Sequence, residues 1–273
     1  MAIITISRQL ASLGDETAQE LAKLLDYRFV DKHSLEELVK SYGVTGPKFE
    51  KYDERKPAFF AALSQDRDDY LHYLKMAMLN EALKGDSVFI GRGANAIFKG
   101  MPGVISVYLS APFEIRLERV KSYFHCDEKK ARQIIERSDH DRVGFHHYFF
   151  DIDWRDPANY HVTLNTGNLH PATCAQAIKY LRDAAVTPEV EAEYAKRLKE
   201  LSLGQQIVHH ILYKKNIPIH FLEAAVSGEK VDLYGVVNSQ ALVEATLAAA
   251  REIADGVAVH SDIQVVQEYS IMP

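Results

Sequence analysis

Two hydrophobic rhythms divide this chain. In its first two-thirds the runs IITIS (3–7), SVFIG (87–91), VISVYLS (104–110) and YHVTLNT (160–166) are short and mainly apolar, which predicts buried strands. Between them, segments 15–26, 32–42, 69–84, 111–123, 127–137 and 170–184 repeat apolar residues at helical spacing. Strands alternating with helices predict an α/β domain built on a parallel sheet, with ligands at the carboxyl ends of the strands. The stretch from Gly43 to Gln65, with two prolines and mixed charge, reads as an irregular insertion or flap.

Past Ala184 the rhythm changes. Val186, Thr187 and Pro188 form a boundary with a helix start, and 189–214 reads as one long amphipathic helix. Two period-two stretches follow, IHFLEAAV (219–226) and KVDLYGVV (230–237), joined by Ser227-Gly228-Glu229, a hairpin signal. A helix, SQALVEATLAAAREIA (239–254), and a strand, VAVHSDIQVV (257–266), complete a ββαβ unit. The expected division is a domain over 1–186, the start of a linker helix over 187–204, and a small α+β module over 205–273.

Charge narrows the partners. The 273 residues carry 32 basic and 38 acidic side chains, net −6, without a lysine- or arginine-rich run, so general affinity for nucleic acid is not expected. The C-terminal module carries −4 of that charge. No run reaches the roughly 20 apolar residues of a membrane span, and the first residues enter a strand without a signal-peptide pattern, so a cytoplasmic protein is expected. Cys126 and Cys174 stand far apart with no CxxC pattern and read as reduced thiols.

The first strand runs through SRQLASLGDET into a helix, the outline of a phosphate-binding loop. Such a loop has the form GxxxxGK[ST]: glycines let backbone N–H groups turn onto phosphate, lysine neutralises the β- and γ-oxygens, and the hydroxyl holds magnesium. With Gly14 as the second glycine, Gln9 stands at the first, Asp15 at the lysine and Glu16 at the hydroxyl. Thr17 lies one place further on, and Arg8 sits on the opposite lip. The motif also reads as an ordinary capping box, with Ser12 as the cap and acidic side chains at the positive end of the helix.

Four signatures together resemble the cytidylate kinase-like family of nucleoside-monophosphate-kinase proteins: the segment from ITISRQLASLGDET to FVDKHSLEELV, then VFIGRGANAIF, VYLSAPFEIRLERV, and IIERSDHDRVGFHHYFFDIDWRDPANYHVTLNTGNL. They stand in family order and cover about residues 1–185. The resemblance implies a P-loop kinase fold with a five-stranded parallel sheet, a monophosphate-binding insertion and an arginine-bearing lid. It also implies ATP as phosphoryl donor, with Mg2+, and a small acceptor such as a nucleoside monophosphate. Arg92 in GRG matches the arginine that holds the monophosphate, and Asp31 in FVDK an acidic position beside that pocket. Arg137 and Arg142 match the lid arginines, and Arg119 is expected to join them. Arg8, Ser12, Gly14 and Thr17 are the expected phosphate and magnesium contacts. Arginine suits these tasks because its planar fork is always charged and bonds two oxygens at once. Duller alternatives exist on the helices, where Arg119 has Glu114 and Glu118 within reach and Arg137 has Glu136 and Asp141. Many family members read SREYGSGGREIA at the loop, with an arginine where this chain has Asp15. That departure opens a competing expectation, a catalytically impaired regulator or assembly protein.

His140, His146 and His147, with Asp139 and Asp151, lack an established metal-ligand spacing and read as lid surface or phosphate contacts. Phe145, Tyr148, Phe149, Phe150 and Trp154 read as packing. The C-terminal ββαβ unit resembles a BON domain over about 205–270, which implies a ligand or protein partner. The 189–214 helix is the expected interface if the protein forms a homo-oligomer.

Overall fold

The computed structural model describes residues 2–42 and 66–266. The segment read as an insertion, 43–65, lies outside the described residues. The chain divides into two compact units, one ending at Ala195 and the other beginning at Lys196.

The first unit is a five-stranded sheet: β1 (Ile3–Arg8), β2 (Arg28–Val30), β3 (Ser87–Ile90), β4 (Val104–Ser110) and β5 (Val162–Asn165). Their order is β2-β3-β1-β4-β5 and every pair is parallel. β1 and β4 are buried almost end to end, as central strands covered on both faces must be, whereas β5 alternates at the edge. The core joins Ile4, Ile6, Val88, Ile90, Val107 and Leu109 with Leu21 and Ile178 of the covering helices. The three-residue β2 is too short to stand out as an apolar run, and only the family resemblance implied it. Because β1 lies between β3 and β4, the winding reverses there and a crevice opens beyond its carboxyl end.

The helices are α1 (Gly14–Leu25), α2 (Lys32–Ser41), α3 (Asp66–Leu83), a single turn α4 (Ala94–Ile97), α5 (Phe113–Phe124), α6 (Glu128–Phe150) and α7 (Pro171–Ala185). The largest difference from the sequence reading is α6, which does not stop near 137. Asp127 caps its start by accepting from the Lys130 N–H at 2.7 Å, and no proline interrupts the segment. Ala131 and Ile135 pack on Leu117 and Val120 of α5, and further on the tilted rings of Phe145 and Phe149 pack together four residues apart. The segment expected as a lid is therefore continuous helix, closed by Asp151 in the left-handed conformation.

The second unit takes the end of α8 (Pro188–His209), a π-helical turn (His210–Lys214), β6 (His220–Ser227), β7 (Lys230–Val237), α9 (Gln240–Ile253) and β8 (Ala258–Val265). β6 and β7 pair antiparallel across the Ser227-Gly228-Glu229 turn, and β7 and β8 pair parallel across α9. Ile207, Ile211, Val231, Leu233, Val237, Val243 and Ala250 form its core. Among the described residues, no helix is long and apolar enough to cross a membrane.

Candidate phosphate-binding site

The loop Gln9–Leu13 leaves β1 and delivers the chain to α1. Gln9 clamps its start to the neighbouring strand: its N–H donates to the Leu109 carbonyl at 3.0 Å, and its Oε1 accepts from the Ala111 N–H at 3.2 Å. Ala11 and Leu13 both hold left-handed backbone, with φ of 60° and 53°. Such a conformation costs a non-glycine residue about 1–2 kcal/mol. In the SREYGSGGREIA pattern the glycines fall at the positions of Ala11, Leu13 and Gly14. The loop follows a glycine path, then, with two of its three glycines replaced.

What holds it there is a set of donors behind it. The Gln9 carbonyl accepts from the Ser12 Oγ at 2.9 Å and the Ser12 N–H at 3.3 Å. The Leu10 carbonyl accepts from Arg116 Nε at 2.8 Å, the Ala11 carbonyl from Arg119 at 3.0 Å, and the Ser12 carbonyl from Thr166 Oγ1 at 2.8 Å. The Leu13 carbonyl accepts from the Thr17 N–H at 3.0 Å and Thr17 Oγ1 at 2.7 Å. In a trans peptide the next N–H points away from the carbonyl. Tying these carbonyls back therefore turns the amides of Ala11, Leu13 and Gly14 to the other side, where the N-terminus of α1 adds its positive end. That arrangement is a candidate main-chain anion cradle.

Its expected side-chain contacts are placed unevenly. Arg8 crosses the mouth so closely that a Cβ on Gly14 would lie 2.4 Å from Arg8 Cγ, and Arg8 reaches Asp15 at 3.7 Å. Asp15 is 62% exposed and Glu16 is also exposed, so neither carboxylate is folded into the cradle. Ser12 and Thr17 are fully buried with their hydroxyls on loop carbonyls. The expected capping box does not form: Leu13, not Ser12, is the N-cap, and no side chain caps the helix. Arg119 acts behind the loop, its second donor on the Thr166 carbonyl at 2.8 Å. Burial lowers its pKa below the ordinary arginine value, and Glu16 pulls it back up. On α6, Arg142 bonds Ser138, while Arg137 is 78% exposed and 3.9 Å from Asp141.

The expected acceptor side is the turn after β3. Gly91, Arg92 and Gly93 all hold positive φ, 72°, 56° and 71°. Arg92 is 1% exposed; its guanidinium donates to Glu36 Oε1 on α2 at 3.0 Å and to the Tyr70 hydroxyl on α3 at 3.5 Å. A Cβ on Gly93 would lie 2.2 Å from the Phe150 ring, so the end of α6 lies directly over this turn. Asp31 caps α2, its Oδ1 accepting from the Ser34 N–H at 2.9 Å and the Ser34 hydroxyl at 3.0 Å.

A family model described as the cytidylate kinase-like family matches residues 3–168, more than half of the chain. The chain belongs to the cytidylate kinase-like family. A BON domain model matches residues 201–267. A crystal structure of an uncharacterized protein from Eubacterium ventriosum ATCC 27560 is 21% identical, spans 67% of this chain and 99% of its own, and superposes with a TM-score of 0.54, the same fold. A shikimate kinase from Acinetobacter baumannii in complex with shikimate is 20% identical, over 67% of this chain and 94% of its own, at a TM-score of 0.38. Another, from Aquifex aeolicus vf5, is 16% identical over 67% and 96%, at 0.36. No curated protein matches the chain.

Within this cytidylate kinase-like unit, sequence reasoning missed the residues that hold others in place. Arg116 is 2% exposed and makes a two-pronged contact with Asp139, at 2.8 and 2.9 Å. Its one signal was its place three residues before Arg119, hence on the same helix face. Glu36 gave no motif signal at all. The histidines serve different ends: His146 is buried, its Nδ1 donating to the Arg142 carbonyl at 2.8 Å, and His147 lies 3.4 Å from Asp151 at the surface. Phe145, Phe149 and Trp154 are buried packing, and Trp154 meets Tyr108 edge-on. Burial pushes the Tyr108 phenol up to about 12, so it stays neutral at physiological pH.

Proposed function

We propose that this protein is a nucleotide-binding phosphotransferase of kinase type, moving the γ-phosphoryl group of ATP to a small acceptor such as a nucleoside monophosphate. The observation that carries this reading is the cradle: two non-glycine residues are held in left-handed backbone by donors that tie back the loop's carbonyls. Strain retained at two sites of one short loop, Ala11 and Leu13, supports a working role for it. Because the contacts to phosphate would be main-chain N–H groups, losing the P-loop lysine leaves them in place. Arg8 supplies a cation at the lip, and Arg92 is the acceptor's anion contact. Arg142 and Arg137 are the cations for charge spread over the transferring group, the main demand of phosphoryl transfer. An acceptor oxygen bonds to the γ-phosphorus as the bond to the β–γ bridging oxygen breaks, and ADP leaves with that electron pair.

Thr17 does not fit the role of magnesium ligand, since its buried hydroxyl is engaged with the Leu13 carbonyl. Asp15 does fit: it is an exposed carboxylate beside Arg8 at the mouth, and carboxylate oxygens are the donors magnesium takes. Bound there, magnesium would neutralise phosphate charge, and the carboxylate would hold rather than repel a metal-loaded triphosphate. ATP supply in the cytoplasm suits this reading, and the BON-like module is the part left for a ligand, a protein partner or a second copy.

A second reading, a nucleotide-responsive regulator without turnover, is favoured by one observation: Arg92 is already paired with Glu36, and Phe150 lies over the neighbouring Gly93. Calorimetric titration of the full chain with Mg·ATP and with CMP, run beside a transfer assay, separates the two. Binding with turnover is the expected result, and binding without turnover supports the regulator. No heat with either nucleotide overturns both.

A further inference from the structure

The contact that stands out beyond the cradle is the one behind it. Arg116 is a buried cation with donors pointing two ways. Its Nε donates to the Leu10 carbonyl at 2.8 Å, and its two terminal nitrogens grip both oxygens of Asp139 at 2.9 and 2.8 Å. Asp139 sits on α6 between Arg137 and Arg142, the two candidate phosphoryl-contacting arginines. One guanidinium thus touches both the strained loop and the helix that carries those cations. Arg119 gives no such link, because its other contacts are to Thr166 after β5.

We propose that Asp139 and Arg116 are positioning residues that set the phosphate cradle from α6. Asp139 fixes the direction of the guanidinium, the guanidinium fixes the Leu10 carbonyl, and the Leu10 carbonyl fixes the Ala11 N–H on the opposite side of the same peptide plane. The bidentate contact suits this task, since a planar fork on a carboxylate allows little rotation. A movement of α6 that shifts Asp139 would therefore turn the loop amides, and an anion held by those amides would in turn favour one place for α6. Coupling of this kind is reciprocal and typically five- to 150-fold. The proposal rests on the phosphotransferase reading for its purpose but not for its geometry.

Amide-resolved NMR of the ligand-free full chain tests the link without any nucleotide. Asp139→Asn keeps one oxygen acceptor and removes the fork, and it should shift the Ala11, Leu13 and Gly14 amide resonances, with the β1 and β4 amides unmoved. If the half-broken pair weakens the whole fold, the double variant Arg116→Met with Asp139→Leu removes both charges together, a replacement that cores generally tolerate. It should show the same local effect. Inorganic tripolyphosphate is then titrated into each variant, and a parallel loss of affinity of about fivefold is expected. Unmoved resonances of the three loop amides in a folded variant overturn the proposal. So do shifts spread equally over β1 and β4, which mark a merely structural pair. If the unaltered chain binds no tripolyphosphate, the phosphotransferase reading falls, while the shift pattern alone decides the link.

Discussion

The loop after β1 and the turn after β3 are built alike and finished differently. Both follow strands in the middle of one sheet, both rely on left-handed residues, and both bring an arginine to the crevice. The loop is fastened from behind, through its carbonyls, and its mouth carries Arg8 with the exposed Asp15 beside it. The turn is fastened from in front: Glu36 and Tyr70 engage Arg92, and Phe150 covers Gly93. One surface offers main-chain groups to a ligand, and the other offers a side chain that already has a carboxylate partner. Under the proposed function, anion binding through the backbone would survive the exchange of a lysine for Asp15, whereas binding through Arg92 would require an anion that outcompetes Glu36.

The comparison breaks most severely at Gly93. Gly93→Ala would drive a methyl group into the Phe150 ring while forcing alanine into positive φ, so a loss of about 2–4 kcal/mol in urea unfolding is expected. At Gly14 the obstruction is Arg8, which belongs to the cradle itself.

Glu36→Gln addresses the side that is closed. A neutral amide oxygen holds Arg92 less tightly than a carboxylate by about 1 kcal/mol, so CMP should bind roughly fivefold more tightly by calorimetry. Tripolyphosphate affinity at the loop should not change, and a rise in both would merge the two sites.

Ala11→Gly sharpens the loop side. Relieving one left-handed alanine should raise stability by about 1 kcal/mol in the same urea titration. A loss instead would show that Ala11 is not strained. The smallest effect is expected at Asp15, whose exposed pairing with Arg8 at 3.7 Å contributes little. Asp15→Asn should leave stability within about 0.5 kcal/mol. It should strengthen binding of metal-free tripolyphosphate and weaken the benefit of magnesium, both read by calorimetry.

Much of the fold was legible because its signals are local. Unbroken apolar runs marked β1, β3, β4 and β5, and the Ser227-Gly228-Glu229 turn marked the C-terminal hairpin. β2 was not legible as a pattern, because Arg28–Val30 is only three residues long and held by pairing with β3. α6 outran its expected end because the aromatic face around Phe145 and Phe149 gains its stability from tertiary packing, to which helix periodicity over a polar stretch gives no clue. In the site, residues with a motif around them, such as Arg8, Gly14 and Arg92, could be named in advance. The duties of Ser12, Thr17 and Arg119 could not, since each acts on a loop carbonyl and a sequence does not record which way a peptide plane faces. Arg116, Asp139 and Glu36 belong to the same class, acting through other residues over long separations in the chain.

The central claim is that polyphosphate is held by the main chain of the loop after β1. Amide-resolved NMR of the full chain during titration with Mg·ATP tests it most directly. The account predicts that the amides of Ala11, Leu13 and Gly14 shift first and furthest, with the saturation seen by calorimetry. Saturable shifts elsewhere, with those three amides unmoved, would contradict it.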